Sequence, residues 1–180
     1  MFRMTDSLLL FVLYVDDLLI IGYLTLVIAI VKRILHDRFL MMDMGPLHFF
    51  LGLEISQDAS NIKLSQAKYA QDLIERFHMT ECKSAPTPFL LGVKLEDGGD
   101  SPMVDNTLYK QLVGSLLYLT HSSPDLSCAV GAVSQFMQEP HELHWKVAEL
   151  ILRYVKGTIT FGIHYEIDST LHLIGFIDSY

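Results

Sequence analysis

Cysteine is scarce in this chain of 180 residues, with Cys82 and Cys128 the whole supply. They form no CxxC pair and no metal-ligand spacing. That excludes a disulfide framework and a thiolate metal site, and leaves two reduced structural thiols. Positive charge is scarce too: 13 Lys and Arg face 21 Asp and Glu, for a net charge of −8 and a pI near 5.3. A free-standing nucleic-acid-binding domain carries a basic face, so this composition argues against one. A run long enough to cross a membrane is also lacking. The most apolar stretch, Leu8 to Val31, is interrupted by Asp16 and Asp17, each costing about 2.5–3.5 kcal/mol at a bilayer centre. The uninterrupted remainder, residues 18–31, falls short of the roughly 20 that a spanning helix needs, so no stable membrane insertion is expected. Asp6 near the start, with no small-residue cleavage site after it, is a poor fit to a signal peptide. An intracellular compartment, cytoplasmic or nuclear, fits these features. Repeats and low-complexity tracts are absent.

Hydrophobic residues make up 51% of the chain, enough for a sizeable core. Against that background the adjacent carboxylates of Asp16 and Asp17 need a reason. Two like charges side by side in an apolar setting are costly unless something positive meets them. A divalent metal ion carrying a phosphate substrate is the first candidate. Locally, Leu8 to Tyr14 and Leu18 to Ile21 read as buried strands, with Val15, Asp16 and Asp17 as the turn between them.

Thr25 can cap a helix running to about Arg38, with Ile28, Val31, Ile34 and Leu35 on one face. Phe49 to Ile55 reads as one strand, Asp58 to Asn61 as a turn, and Ile62 to Leu64 as the returning strand. Ser65 is placed to cap an amphipathic helix over 66–77. Residues 83–106 hold three of the six prolines and read as a linker. Helices are expected over 108–119, 124–137 and 143–155, and strands over 161–165 and 171–177. The spacing of His141, Glu142 and His144 is faintly metal-like, but helix-start residues are the expected reading. The fold class is therefore α+β.

Tyr14-Val15-Asp16-Asp17 between apolar strands resembles the YxDD motif of reverse transcriptases. Further blocks follow in that family's order: Phe49 to Ile55 (FFLGLEI), Leu64 to Tyr69 (LSQAKY), Tyr109 to Leu119 (YKQLVGSLLYL), Pro124-Asp125-Leu126, His144-Trp145, and Leu152 to Thr158 (LRYVKGT). Together they are similar to the polyprotein of copia-type LTR retrotransposons, and the resemblance spans essentially the whole chain. It implies a partial reverse-transcriptase palm over 1–82, carrying the YVDD hairpin and a primer-grip-like hairpin. A linker over 83–106, a helical thumb and connection over 107–160, and the start of an RNase H-like domain over 161–180 would follow.

The implied activity is RNA-directed DNA polymerisation on an RNA or DNA primer–template with dNTPs, using Mg2+ or Mn2+. Asp16 and Asp17 would be the catalytic, metal-binding carboxylates, with Asp16 the principal ligand. Tyr14 would face the primer–template, Phe50, Leu51 and Gly52 would form the primer grip, and Asp178 would match the first RNase H carboxylate. Lys63, Lys68, Arg153 and Lys156 are the basic residues available to phosphates, with a solvated surface as their default.

The family takes another metal carboxylate from an upstream strand, so the chain by itself is expected to be inactive, with pairing to an intact polymerase as one route to a role. The alternatives are a non-catalytic binding or regulatory protein kept by the host, a pseudogene product and, less favoured, a membrane-associated protein. Met42, Ser123, Glu149 and Leu150 stand where such elements usually carry basic residues. These substitutions read as drift, an expectation that an intact transcribed element encoding the same residues would contradict.

Overall fold

The computed structural model describes residues 8–58, 60–89, 95 and 101–166. The chain divides into two compact units, Met1–Pro46 and Leu47–Tyr180. Among the described residues the architecture is mixed α and β, with two antiparallel sheets and five α-helices.

In the first unit, β1 (Leu9–Tyr14) pairs antiparallel with β2 (Asp17–Gly22) in a register running from Leu9↔Gly22 to Tyr14↔Asp17. Helix α1 (Thr25–Arg38) follows, with His36 and Arg38 in its last turn, where cations complement the helix dipole. Thr25 does not cap it, because Leu24 holds the N-cap position and no side chain bonds there. The chain beyond α1 is pinned by Asp43, whose Oδ1 accepts from Lys32 Nζ at 2.8 Å and from the Gly45 amide at 2.9 Å. These bonds, Lys32 first, hold the Asp43 carboxyl below its ordinary value.

The strands expected to be buried are open to solvent over most of β1, with Leu13 70% exposed, and α1 has no buried residue. The reason is geometric. A hairpin apolar on both faces belongs between two covering layers, and one amphipathic helix covers part of one face.

The second unit begins with β3 (Phe49–Phe50), β4 (Leu53–Gln57) and β5 (Asn61–Ser65), and β6 (Ile163–Glu166) completes a sheet of order β3-β4-β5-β6. The single strand expected over 49–55 is thus a hairpin, turning at Leu51-Gly52, with Phe49↔Glu54 and Phe50↔Leu53 in register. The next turn forms as expected, because Asp58 Oδ1 accepts from the amides of Ser60 (2.7 Å) and Asn61 (2.8 Å). Helix α2 (Ala67–Arg76) has Gln66, not Ser65, at its N-cap, with no cap bond from that side chain. Glu54 of β4 takes over, its Oε1 accepting from the Lys68 amide at 2.7 Å.

Helix α3 (Asn106–Leu119) is capped by Asp105, which accepts from the Leu108 amide at 2.8 Å. A 3-10 turn (Pro124–Leu126) leads into the short α4 (Ser127–Ser134), so the helix expected over 124–137 is broken near its start. Helix α5 (Glu142–Gly157) completes the bundle.

Apolar stripes of α2, α3, α4 and α5 meet in the core, centred on Leu73, Leu112, Leu116, Val130 and Ile151. Tyr109 is also fully buried there. Its hydroxyl donates to Val133 O at 2.7 Å, and burial pushes the phenol well above its ordinary value. His144 caps the head of α5 from within its first turn. His144 Nδ1 accepts from the His141 amide at 3.0 Å, which leaves its Nε2 to donate to Leu95 O at 2.9 Å. His141 Nδ1 donates to Ser101 O at 2.6 Å. The proline-rich stretch is therefore strapped to the head of α5. At the other end Arg153 Nε donates to Lys83 O at 2.7 Å, and the Ala85 amide donates to Arg153 O at 3.1 Å. Neither cysteine is in a disulfide, and no described helix is long and apolar enough to cross a membrane.

Candidate functional site

The YVDD segment closes the tightest turn a hairpin allows. Because Tyr14 pairs with Asp17, only Val15 and Asp16 remain as the loop. Val15 has φ of 53°, and Asp16 does not share the positive φ. That is the pattern of a two-residue turn whose first central position is ordinarily glycine. A β-branched residue held there is a true backbone outlier, costing about 1–3 kcal/mol. The strain falls on the residue next to the two carboxylates. Directly opposed residues of an antiparallel pair share a face, so Tyr14 and Asp17 lie together while Asp16 caps the tip.

All four residues are exposed, Val15 at 82%. The desolvation penalty that drew attention to the pair therefore does not arise: the carboxylates sit in an apolar sequence but not in an apolar environment. Neither makes a hydrogen bond or ion pair among the described residues, and no group of three His, Cys, Asp or Glu side chains there could hold a metal ion.

Phe50, Leu51 and Gly52 occupy the β3–β4 turn of the second unit. Here both central residues have positive φ, Leu51 at 51° and Gly52 at 78°, the signature of a type I′ hairpin turn. Tyr118 of α3 reaches this turn, its hydroxyl donating to Leu51 O at 2.7 Å. A Cβ at position 52 would lie 1.9 Å from that hydroxyl oxygen, so glycine is required for space as well as for conformation. The Tyr118 ring meets Tyr69 of α2 edge-on, with centroids 4.8 Å apart. Tyr69, Tyr118 and the helix-capping Glu54 were not singled out from the sequence. The available signal was Gly52 itself, since an isolated glycine in a strand pattern marks a turn or a close approach.

Of the four basic residues considered for phosphate contact, three are bonded to main-chain carbonyls. Lys63 Nζ donates to Thr160 O at 2.8 Å, Arg153 to Lys83 O, and Lys156 to the carbonyls of Thr80 and Cys82. Lys68 is exposed. Glu149 accepts from Trp145 Nε1 at 2.8 Å, which gives that acidic residue a structural partner. Asp178 lies outside the described residues.

Comparison with known proteins points to the same family. The profile of the family described as reverse transcriptase (RNA-dependent DNA polymerase) matches residues 2–91. An uncharacterized mitochondrial protein of Arabidopsis thaliana is 38% identical over 168 residues, covering 93% of this chain and 69% of its own length. The retrovirus-related Pol polyprotein from transposon RE2 of the same plant is 36% identical over 173 residues, 96% of this chain but 12% of the polyprotein. That from transposon TNT 1-94 of Nicotiana tabacum is 37% identical over 165 residues, 85% of this chain and 12% of the polyprotein. No solved structure matches.

The chain belongs to the reverse transcriptase family. Within it, the sequence is of the copia-type retrotransposon reverse transcriptase kind, and the chain spans about an eighth of the length of the Pol polyproteins it matches.

Proposed function

We propose that the β1–β2 hairpin is the carboxylate-bearing tip of a reverse-transcriptase palm, serving RNA-directed DNA polymerisation. The observation that carries this reading is the two-residue turn: strained at Val15, it places Asp16 at the apex and Asp17 beside Tyr14. The donor chemistry fits the family's divalent ion in kind. Carboxylate oxygens are hard ligands suited to Mg2+ or Mn2+, and Mg2+ is commonly bound by one or two carboxylates with water and substrate phosphates completing the shell. Asp16 and Asp17 would hold it. When bound, such an ion neutralises charge developing on the transferred phosphate. Asp17 adds negative charge from the face it shares with Tyr14, and Tyr14 offers an exposed ring to the primer–template.

In this reading the β3–β4 turn, with Phe50, Leu51 and Gly52, is the primer grip. The palm, linker, thumb and RNase H-like segments follow the boundaries 1–82, 83–106, 107–160 and 161–180, with Asp178 in the last. Substrates are primer–template and dNTPs.

The chain alone is proposed not to extend a primer. Both carboxylates are unsupported by hydrogen bonds among the described residues, so nothing there fixes their rotamers, whereas a productive constellation needs orientation locked by surrounding groups. Primer extension on an RNA template, with Mg2+ or Mn2+, tests both statements. The expected result is no product from the chain alone. Extension by the chain that disappears in Asp16→Asn would overturn the inactivity while supporting the site. Addition of an intact polymerase is the arm that tests pairing.

A further inference from the structure

We infer that Tyr118 is the positioning residue of the β3–β4 turn, holding Leu51 and Gly52 in the form that meets a primer end. The second half of this inference rests on the primer-grip reading of that turn. Three observations converge. The Tyr118 hydroxyl donates to Leu51 O at 2.7 Å, which satisfies a carbonyl at a turn whose two central residues both have positive φ. Leucine is disfavoured in that region, so the turn needs an external hold. The hydroxyl oxygen also fills the space over Gly52, 1.9 Å from where a Cβ would be. Residues 52 and 118 are therefore mutually matched, one lacking a side chain so that the other can dock. Finally, the phenol is itself fixed: Tyr69 of α2 packs edge-on at 4.8 Å and His121 at 5.7 Å. The His121 Nδ1 donates to Tyr118 O at 2.8 Å. The turn thereby takes its position from the helical bundle as well as from its own two-residue strand β3.

The test compares the 180-residue chain with its Tyr118→Phe, Gly52→Ala and double variants. Tyr118→Phe removes one oxygen and keeps the core. Amide hydrogen exchange over 51–53 is expected to quicken about fivefold, the factor that corresponds to one net hydrogen bond, while exchange in the Asp58–Asn61 turn of the same sheet stays unchanged. Gly52→Ala should quicken exchange further, and its added effect should shrink in the Tyr118→Phe background, because the clashing oxygen is gone. Unchanged exchange in Tyr118→Phe, or strictly additive effects in the double variant, would overturn the inference. The second readout is affinity for a fluorescein-labelled RNA/DNA hybrid duplex. A severalfold weakening in Tyr118→Phe at unchanged Tm supports the positioning role. Quickened exchange with unaltered duplex affinity leaves the Tyr118 anchor standing and refutes the primer-grip assignment.

Discussion

Val15 is the residue at which the hairpin pays for its shape. A valine at φ of 53° stores strain that glycine would not. Val15→Gly is expected to stabilise the hairpin by about 1 kcal/mol, seen as slower amide exchange across Leu13 and Leu18. The converse, Val15→Ile, should bring no such gain. The motif itself was legible because its four residues are contiguous, although Asp17, expected in the turn, opens β2 opposite Tyr14. Their exposure was not legible. An apolar neighbourhood in sequence implies burial only when other layers cover it, and those layers are not written in residues 8–31. Tyr118 was hidden for a different reason: its partner is 67 positions away, and nothing in the spacing of YKQLVGSLLYL distinguishes a tyrosine that reaches a distant turn from one that packs in the core.

At the level of elements, helix periodicity served well. α1 and α3 fall within about two residues of their expected limits, since long amphipathic patterns average over single residues. Strands and caps fared less well. The β3–β4 hairpin was read as one strand because its turn puts a leucine, not an Asn or Asp, at the first positive-φ position.

The β4–β5 turn carries a pH dependence with a defined sign. The Asp58 carboxyl is held below its ordinary value, first by the Ser60 amide, then by the Ser60 hydroxyl and the Asn61 amide. A depressed carboxyl contributes stability that is fully present above the unfolded value of about 3.9 and is lost as pH falls through the lower folded value. Exchange at the Ser60 and Asn61 amides is therefore expected to rise as the solution is acidified below about pH 4, beyond the intrinsic change. Asp58→Asn should remove that pH response while leaving the α3–α5 core intact. A response that persists in Asp58→Asn would assign it to another group.

For the whole molecule, the contrast is between a unit with a closed core and a hairpin unit without one. Leu47–Tyr180 buries the meeting faces of four helices, whereas Met1–Pro46 leaves β1 with no partner on its far edge among the described residues. An exposed apolar edge strand templates association. Leu13→Lys, at a site 70% exposed, should lower concentration-dependent light scattering. It should change Tm little, since an exposed substitution costs about 0.5 kcal/mol or less. Scattering unaffected by that change would place the association surface elsewhere. The acidic composition also takes on a local meaning at this scale. Lys63, Arg153 and Lys156 direct their donors at carbonyls of their own chain, so they contribute less to a phosphate-binding face than a count of charges implies.

The strand order β3-β4-β5-β6 also has a consequence in time. β5 and β6 are adjacent in space, yet the bond from Lys63 to Thr160 joins residues 97 positions apart. During synthesis at about 5–20 residues per second, β5 would wait roughly 5–20 s with an unpaired edge before its neighbour emerged. The helices of the bundle emerge in that interval and build from nearer neighbours, which generally form faster than distant strand pairs. The last act of folding in this unit would then be the laying of β6 against an edge that the bundle has already positioned.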